Sequence, residues 1–242
     1  MSKSESWQEK WTMNSFPSLL TDAIAFDLQA QTKDFSDFPT MNRYSKASIL
    51  NSIFAIEAAA NSCIARMKYP KLIIEQLDKL SIVDKYDILY TAQSKSGKNI
   101  NRGNTHFQII KELFYFRNRY VHPKLIEKET KVKINKNKNN TKIYEQNPKL
   151  TQVLKIPYDF NTWTGEHSHI VVKKTINFFN YFFIDLCGFT KEKSSELLSV
   201  FAQGPVNTAT FLAVHEVQIL KKFKNDYGVD INFLNFNNKD TA

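Results

Sequence analysis

Residues that interrupt helices are scarce in this chain, since six glycines and seven prolines are spread over 242 residues. Glycine and proline are the residues that break a regular helix most strongly. The stretches between them carry apolar residues at intervals of three and four, which is the period of a helix with one buried face. The sequence therefore predicts an all-α body built around one substantial core.

The apolar period divides the first half of the chain into successive helices. We expect helices over residues 16–32, over about 44–67 and over 70–93, the last with a break near Ser81. The core face of the second helix is predicted to hold Ile49, Ile53, Ile56, Ala60, Cys63 and Ile64. These three segments form the first part of a helical bundle.

A further helix is predicted to begin at Thr105, because Thr105 and Gln108 have the spacing of a capping box. Its core stripe is expected to be Ile109, Leu113, Phe116 and Tyr120. Pro123 disfavours helical geometry at the residue before it, which places His122 at or next to the end of this helix.

The amino-acid composition of the chain changes after Pro123. Residues 124–149 contain eight lysines and three glutamates, so that 8 minus 3 gives a local charge of +5. The alternation in "KVKI" and "TKIYE" around an Asn/Lys turn predicts a β-hairpin inserted between helices, and a disordered basic loop is the alternative. We expect this insertion to span about 124–165.

Helix returns in the very apolar stretch 168–189. Thr190 is expected to cap a helix over 191–203, which stops at Gly204 and Pro205, and a last helix is expected over 207–228, ending at Gly228. The predicted organisation is a helical domain over 1–189 and a C-terminal helical extension, 190–242, packed on it. The tail after Gly228 either docks on the body or hangs free.

Charge and cysteine content bear on partners and compartment. The formal net charge is +9 and the sequence pI is about 9.3, which favours a polyanionic partner such as RNA. Cys63 and Cys187 lie in apolar helical patterns rather than in a disulfide framework, which fits a reducing cytoplasm. We find no apolar signal core and no run of about 18 apolar residues, so we expect a cytoplasmic protein without a membrane partner.

The stretch "FYFRNRYVHP" carries the most unusual constellation in the sequence. At about 100° per residue, Arg117 falls inside the apolar arc of its helix, while Asn118 and His122 lie four residues apart at the edge of the polar face. A guanidinium in an apolar arc needs a partner or a cleft. One interpretation is an ion pair with Glu57 on a neighbouring helix, and the other is a phosphate-handling site.

Arg117, Asn118, three residues and His122 form the RNxxxH version of the signature of the HEPN superfamily (higher eukaryote and prokaryote nucleotide-binding domains), and the chain resembles that family over about 16–189. The long helix with Glu57 and Asn61 in "FAIEAAANS" resembles the second helix of the family, and the apolar helix from about Ser168 resembles its closing helix. The resemblance implies a HEPN-like bundle with a basic insertion and an extra C-terminal helix.

The resemblance also implies an activity, since many HEPN proteins are metal-independent endoribonucleases that pair as homodimers around one composite active site. Arg117 would bind the scissile phosphate, Asn118 would position it or orient the histidine, and His122 would be the acid-base group, with Glu57 and Asn61 in support. The expected RNA-backbone contacts are Arg119, Lys124, Lys131, Lys133, Lys136 and Lys138. No metal and no other cofactor is expected.

Family analogy suggests a toxin or a phage-defence effector, with an antitoxin or another defence component as partner. HEPN toxins that pair with a nucleotidyltransferase antitoxin carry a tyrosine two residues after the histidine, where this chain has Lys124. Regulation by modification of that tyrosine is therefore not expected.

Two other functions stay open at this point. A HEPN-like module could hold a nucleotide, RNA or a protein partner without cutting it, or the bundle could be a structural dimer in which Arg117 is a buried ion pair.

A zinc site at His167 and His169, near Asp159 and Glu166, is disfavoured because no cysteine or third histidine is close in sequence.

Overall fold

A computed structural model describes residues 10–93, 99–123, 131–135, 141–145, 148–203 and 208–236 of the chain. Its helices are α1 (Phe16–Gln31), α2 (Phe38–Ala65), α3 (Lys71–Asp78), α4 (Ile82–Gln93), α5 (Thr105–Val121), α6 (Gly165–Phe179), α7 (Lys191–Leu198) and α8 (Val214–Tyr227). Its strands are β1 (Lys10–Thr12), β2 (Lys131–Asn135), β3 (Thr141–Glu145), β4 (Val200–Gln203) and β5 (Thr208–Phe211). The body is mostly helical, which confirms the all-α prediction.

Helix α2 runs through the centre of the bundle and packs against α1, α4, α5 and α6. The Ser48 hydroxyl donates to the Ala23 carbonyl at 2.7 Å and the Asn14 amide donates to the Ser62 hydroxyl at 2.9 Å, so α1 and α2 are antiparallel. All six residues predicted for the core face of α2 are buried. The helix begins at Phe38, six residues earlier than predicted, because Pro39 is well tolerated in a first turn.

The predicted break near Ser81 is present and separates α3 from α4. Helix α5 begins at Thr105, but Asn104 is its capping residue, and the Asn104 side chain accepts from the His106 N–H at 2.9 Å. The predicted Thr105 cap was therefore wrong by one residue. The core stripe of α5 is buried up to Phe116, whereas Tyr120 is exposed because the bundle ends before the last turn of the helix.

The apolar stretch after the insertion forms α6, followed without interruption by a π-helical segment, Asn180–Leu186. Phe178, Phe179, Phe182 and Phe183 of this stretch are all fully buried. The tail after α8 docks on this layer, since Phe233 packs on Phe16 and Phe179 with ring-centre distances of 6.2 and 5.1 Å. The docked tail is one of the two alternatives that the sequence left open.

Two of the predicted C-terminal helices were too long. Thr190 caps α7 as expected, but α7 ends at Leu198. Helix α8 begins only at Val214, and Gly228 with φ 62° is its C-terminal capping residue. Between them β4 and β5 pair antiparallel, and β4 also pairs with β1 at the other end of the chain. The β-branched and aromatic residues of these segments suit a strand, and the long-range pairing overrides their helical period.

The basic insertion contains an antiparallel hairpin in which Lys131 pairs with Glu145 and Asn135 pairs with Thr141. This pairing confirms the hairpin rather than the loop for residues 131–135 and 141–145. After the hairpin, residues 148–164 form the return segment, which leads back to α6. It contains a loop closed by a backbone bond from the Thr151 N–H to the Ile156 carbonyl at 2.9 Å. The buried side chains of Leu154, Ile156 and Trp163 anchor this return segment in the core.

The stretch Phe35–Ala65 is long and apolar enough to cross a membrane by length and composition, with a mean hydropathy of 1.3 in its most apolar window. This stretch contains α2, and more than half of that window is buried inside the protein.

Both cysteines are free thiols, and burial raises the pKa of each to about 12.

Candidate functional site

The site is built around the last two turns of α5. Pro123 ends the helix, and His122 is its C-terminal capping residue, whose N–H donates to the Asn118 carbonyl at 3.0 Å. The predicted position of His122 is thereby confirmed. The imidazole and the Asn118 amide stand exposed one turn apart on the same side of α5.

Arg117 lies on a different side of α5 and points towards α2. Its Nη2 atom is 3.9 Å from the Glu57 Oε2 atom, which is the predicted ion pair in a loose geometry. Its Nη1 atom donates to the Asn118 Oδ1 atom at 3.3 Å, and its buried Nε has no hydrogen-bond partner. Asn118 therefore connects the arginine to the side of the helix that carries His122.

An open groove of about 1280 Å³ runs along the His122 side of α5, and the return segment forms its opposite wall. The α5 side is formed by Gln108, Lys111, Glu112, Tyr115, Asn118, Arg119 and His122, and the opposite side by Lys149, Gln152, Val153, Tyr158 and Phe160. Arg117 is not among the lining residues. Of the three motif residues, the groove brings together Asn118 and His122.

Glu112 fixes the two walls of the groove to each other. Its two carboxylate oxygens accept from the Val153 N–H at 2.9 Å and from the Leu154 N–H at 2.8 Å. Arg119 adds a second link, because its Nη1 donates to the Tyr158 carbonyl at 3.3 Å. Among the described residues that line the groove, Lys111, Arg119 and Lys149 stand against the Glu112 carboxylate, so that 3 minus 1 gives a charge of +2 without counting His122.

Asn61 does not reach the motif, although Glu57 does. The Asn61 Oδ1 atom accepts from the Lys85 ammonium at 2.8 Å, and Asp78 lies 3.1 Å from the same ammonium. The Lys85 side chain is buried, so these two acceptors stabilise a desolvated charge between α2 and α4. The contact of Asn61 is therefore part of the scaffold beside the candidate site.

The predicted cationic contacts fall into three groups. Arg119 lines the groove, whereas Lys124, Lys136 and Lys138 lie outside the described residues. For Lys131 and Lys133 the structure describes the backbone, which lies in β2 opposite Glu145 and Ile143. The insertion leaves the body at Pro123 and the chain is back at the groove by Lys149, since both of these residues line it.

The remaining histidines have local roles. His167 caps the N-terminus of α6, where its Nδ1 accepts from the Thr164 N–H at 3.0 Å. Burial lowers the pKa of this imidazole. His169 lies 2.9 Å from the buried Asp27 carboxylate. Across the described ranges, no group of three or more His, Cys, Asp or Glu residues is arranged to hold a metal ion.

His106, in the first turn of α5, is half-buried. Its ring stacks on Tyr181 of the π-helical segment with ring centres 4.3 Å apart, and burial lowers its pKa. The Nδ1 atom is buried without a hydrogen-bond partner.

Sequence reasoning missed Lys111, Tyr115, Lys149 and Tyr158, which shape the groove. Lys111, Tyr115, Asn118 and His122 follow one another at offsets of four, three and four, so the helical period already placed the first two beside the motif. No local pattern indicated the residues of the opposite wall.

The chain matches no protein-family model, no curated protein and no solved structure.

Proposed function

We propose that the protein is a metal-independent endoribonuclease of HEPN type that uses Arg117, Asn118 and His122. The observation that carries the proposal is that the exposed His122 imidazole and the Asn118 amide lie one turn apart in an open groove with a net positive charge. An anionic backbone is attracted to such a groove, and an imidazole there is free to exchange protons with a substrate.

The proposed reaction is an intramolecular transfer within RNA. The ribose 2'-oxygen attacks the adjacent phosphorus, the bond from phosphorus to the 5'-oxygen breaks, and the products carry a 2',3'-cyclic phosphate and a 5'-hydroxyl. His122 removes the proton from the 2'-hydroxyl or gives one to the leaving 5'-oxygen. Arg117 and Asn118 stabilise the negative charge that develops on the phosphate oxygens.

A second copy of the chain would complete this site. Arg117 lies outside the groove of its own chain, so a composite cleft requires a partner whose motif faces it. Val121 lies four residues from Arg117 on the same side of α5 and is exposed, which gives that side an apolar contact for a partner. We therefore include a homodimer in the proposal. A role as a toxin or a defence effector is compatible with such an enzyme.

A non-catalytic module is the second candidate, and the ion pair of Arg117 favours it. The guanidinium already faces Glu57 at 3.9 Å instead of the groove. A protein that only binds RNA through Lys111, Arg119 and Lys149 does not need Arg117 beside His122.

The test is cleavage of total RNA by the purified protein in EDTA, followed by analysis of the fragment ends. The variants are His122→Ala and, as a matched control, His215→Ala, which removes an exposed histidine of α8. We expect wild type and His215→Ala to leave 2',3'-cyclic phosphate ends, and His122→Ala to be slower by about 10²–10⁴-fold. Equal rates for both variants, or RNA binding without cleavage, would favour the non-catalytic module.

A further inference from the structure

An exposed aromatic residue, Tyr115, stands in the groove two turns before His122. Its side chain is on the same side of α5 as Asn118 and His122, and 47% of the residue is exposed. An exposed aromatic ring offers a flat apolar face on which another aromatic group can stack. Its ring is held by T-shaped contacts with Phe116 and Tyr158, at ring-centre distances of 6.1 and 5.5 Å.

Three cationic side chains line the groove near this ring. The Arg119 guanidinium carbon lies 5.6 Å from the centre of the Tyr115 ring, and Lys111 lies one turn before Tyr115 along the groove. The Lys149 ammonium lies 5.8 Å from the centre of the Tyr158 ring on the opposite wall. A guanidinium has five N–H donors, so the single bond from Arg119 to the Tyr158 carbonyl leaves donors for a ligand.

Glu112 is the one acidic side chain among the described residues that line the groove. Both of its carboxylate oxygens accept backbone N–H groups of the return segment, so the carboxylate is engaged with that wall of the groove. The groove therefore offers a fixed aromatic surface between cations, with a net charge of +2 from the three cations and one carboxylate.

We infer that this groove binds an unpaired polynucleotide strand, with one base stacked on Tyr115 and the flanking phosphates held by Lys111, Arg119 and Lys149. The inference rests on the proposed action on RNA and adds the place where a base is bound. A base can stack on a side chain only when it is not stacked inside a duplex, so the occupant is a single strand. Stacking on an aromatic ring tolerates every base, so we expect little sequence preference at this position.

Tyr115 is about 10.5 Å from His122 along the helix axis, since seven residues separate them at a rise of about 1.5 Å each. The bound base therefore lies near the phosphodiester bond on which His122 acts, but it takes no part in the cleavage of that bond. Tyr115 is a positioning residue, whose loss weakens binding rather than the proton transfer itself.

The test uses a short labelled single-stranded DNA, which lacks the 2'-hydroxyl and so is bound but not cut by the proposed reaction. Fluorescence anisotropy measures its affinity for wild type, Tyr115→Ala, Tyr115→Phe and Tyr69→Ala, the last being an exposed tyrosine that does not line the groove. We expect Tyr115→Ala to weaken binding by about tenfold or more, while Tyr115→Phe and Tyr69→Ala stay close to wild type. Thermal melting of each variant shows whether the fold is kept.

Salt dependence separates the ring from the cations. Lys111→Gln is expected to reduce the slope of log affinity against log salt by about 0.7, the value for one phosphate of a single strand, and Tyr115→Ala is expected to leave the slope unchanged. Wild-type affinity for Tyr115→Ala, or binding of a duplex as tight as that of the single strand, would overturn the inference. Because the probe is DNA, neither result depends on whether RNA is cleaved.

Discussion

Replacing Arg117 by alanine distinguishes a catalytic arginine from a structural one. Its Nη2 atom is 3.9 Å from the Glu57 Oε2 atom, and the two side chains are 33% and 31% exposed. Unit charges at this distance attract by about 1 kcal/mol in water, and measured pairs on protein surfaces contribute about 0.2–1 kcal/mol. The substitution also removes the buried Nε, a desolvated donor without a partner. We expect Arg117→Ala to lower the free energy of unfolding by about 1 kcal/mol or less.

In a protein of this length, such a change lowers Tm by about 2–4 °C. Urea unfolding of Arg117→Ala, Glu57→Ala and the double variant gives the coupling energy of the pair directly. RNA cleavage by the same proteins is expected to fall by about 10²–10³-fold when the guanidinium is removed, as for the loss of one group that stabilises developing charge. Arg43→Ala, which removes an exposed arginine of α2, serves as the control.

A coupling energy of about 3 kcal/mol or more, with RNA cleavage or binding unchanged, would refute this reasoning. Arg117 would then be one half of a structural ion pair, and the resemblance of the motif would carry no function.

Three further predictions concern the scaffold. Asp27→Ala should lower the free energy of unfolding by about 2 kcal/mol or more in urea titrations, because it removes the acceptor of the buried Ser168 hydroxyl at 2.7 Å and the partner of His169 at 2.9 Å. A loss below about 1 kcal/mol would contradict this. Glu112→Ala should lower the free energy of unfolding by about 2 kcal/mol and speed hydrogen exchange at the Val153 and Leu154 amides, which donate to Glu112. Unchanged exchange at these amides would mean that another group holds the return segment. Burial lowers the folded-state pKa of His167 below its ordinary value of 6.5. As the pH falls below about 6.5, the unfolded chain therefore binds the proton before the folded chain does, and the free energy of unfolding decreases. His167→Gln keeps an acceptor for the capped N–H and should reduce this loss in melts between about pH 7 and pH 5, and an unchanged pH profile would exclude His167 as a source.

Features that depend on near neighbours in the chain followed from the sequence. The core face of α2 and the end of α5 at Pro123 result from the helical period and from the stereochemistry of one proline. The contact between Arg117 and Glu57 also followed, because a charge in an apolar arc requires a partner and Glu57 was the acidic residue on the neighbouring helix.

Apart from the contact of Arg117 with Glu57, the features that depend on distant segments did not follow. The opposite wall of the groove is fixed by Glu112 and Val153, which are 41 residues apart in the chain. The pairing of β4 with β1 brings Phe201–Gln203 beside Lys10–Thr12, and it places a segment of helical period in a strand. Such contacts are chosen by the packing of the whole bundle, and no short pattern encodes them.

The strands of the basic hairpin, β2 and β3, lie in the chain between two residues that line the groove, Pro123 and Lys149. The return segment is held by its own backbone bond from Thr151 to Ile156 and by the Glu112 carboxylate. In the part of the chain that the structure describes, β2 and β3 make extensive contacts with each other alone. Mutations in this segment can therefore accumulate under weaker constraint than those in the bundle. Lineages that inherit this bundle are expected to diverge first in the length and charge of the hairpin, and a change of target would then evolve without loss of foldability.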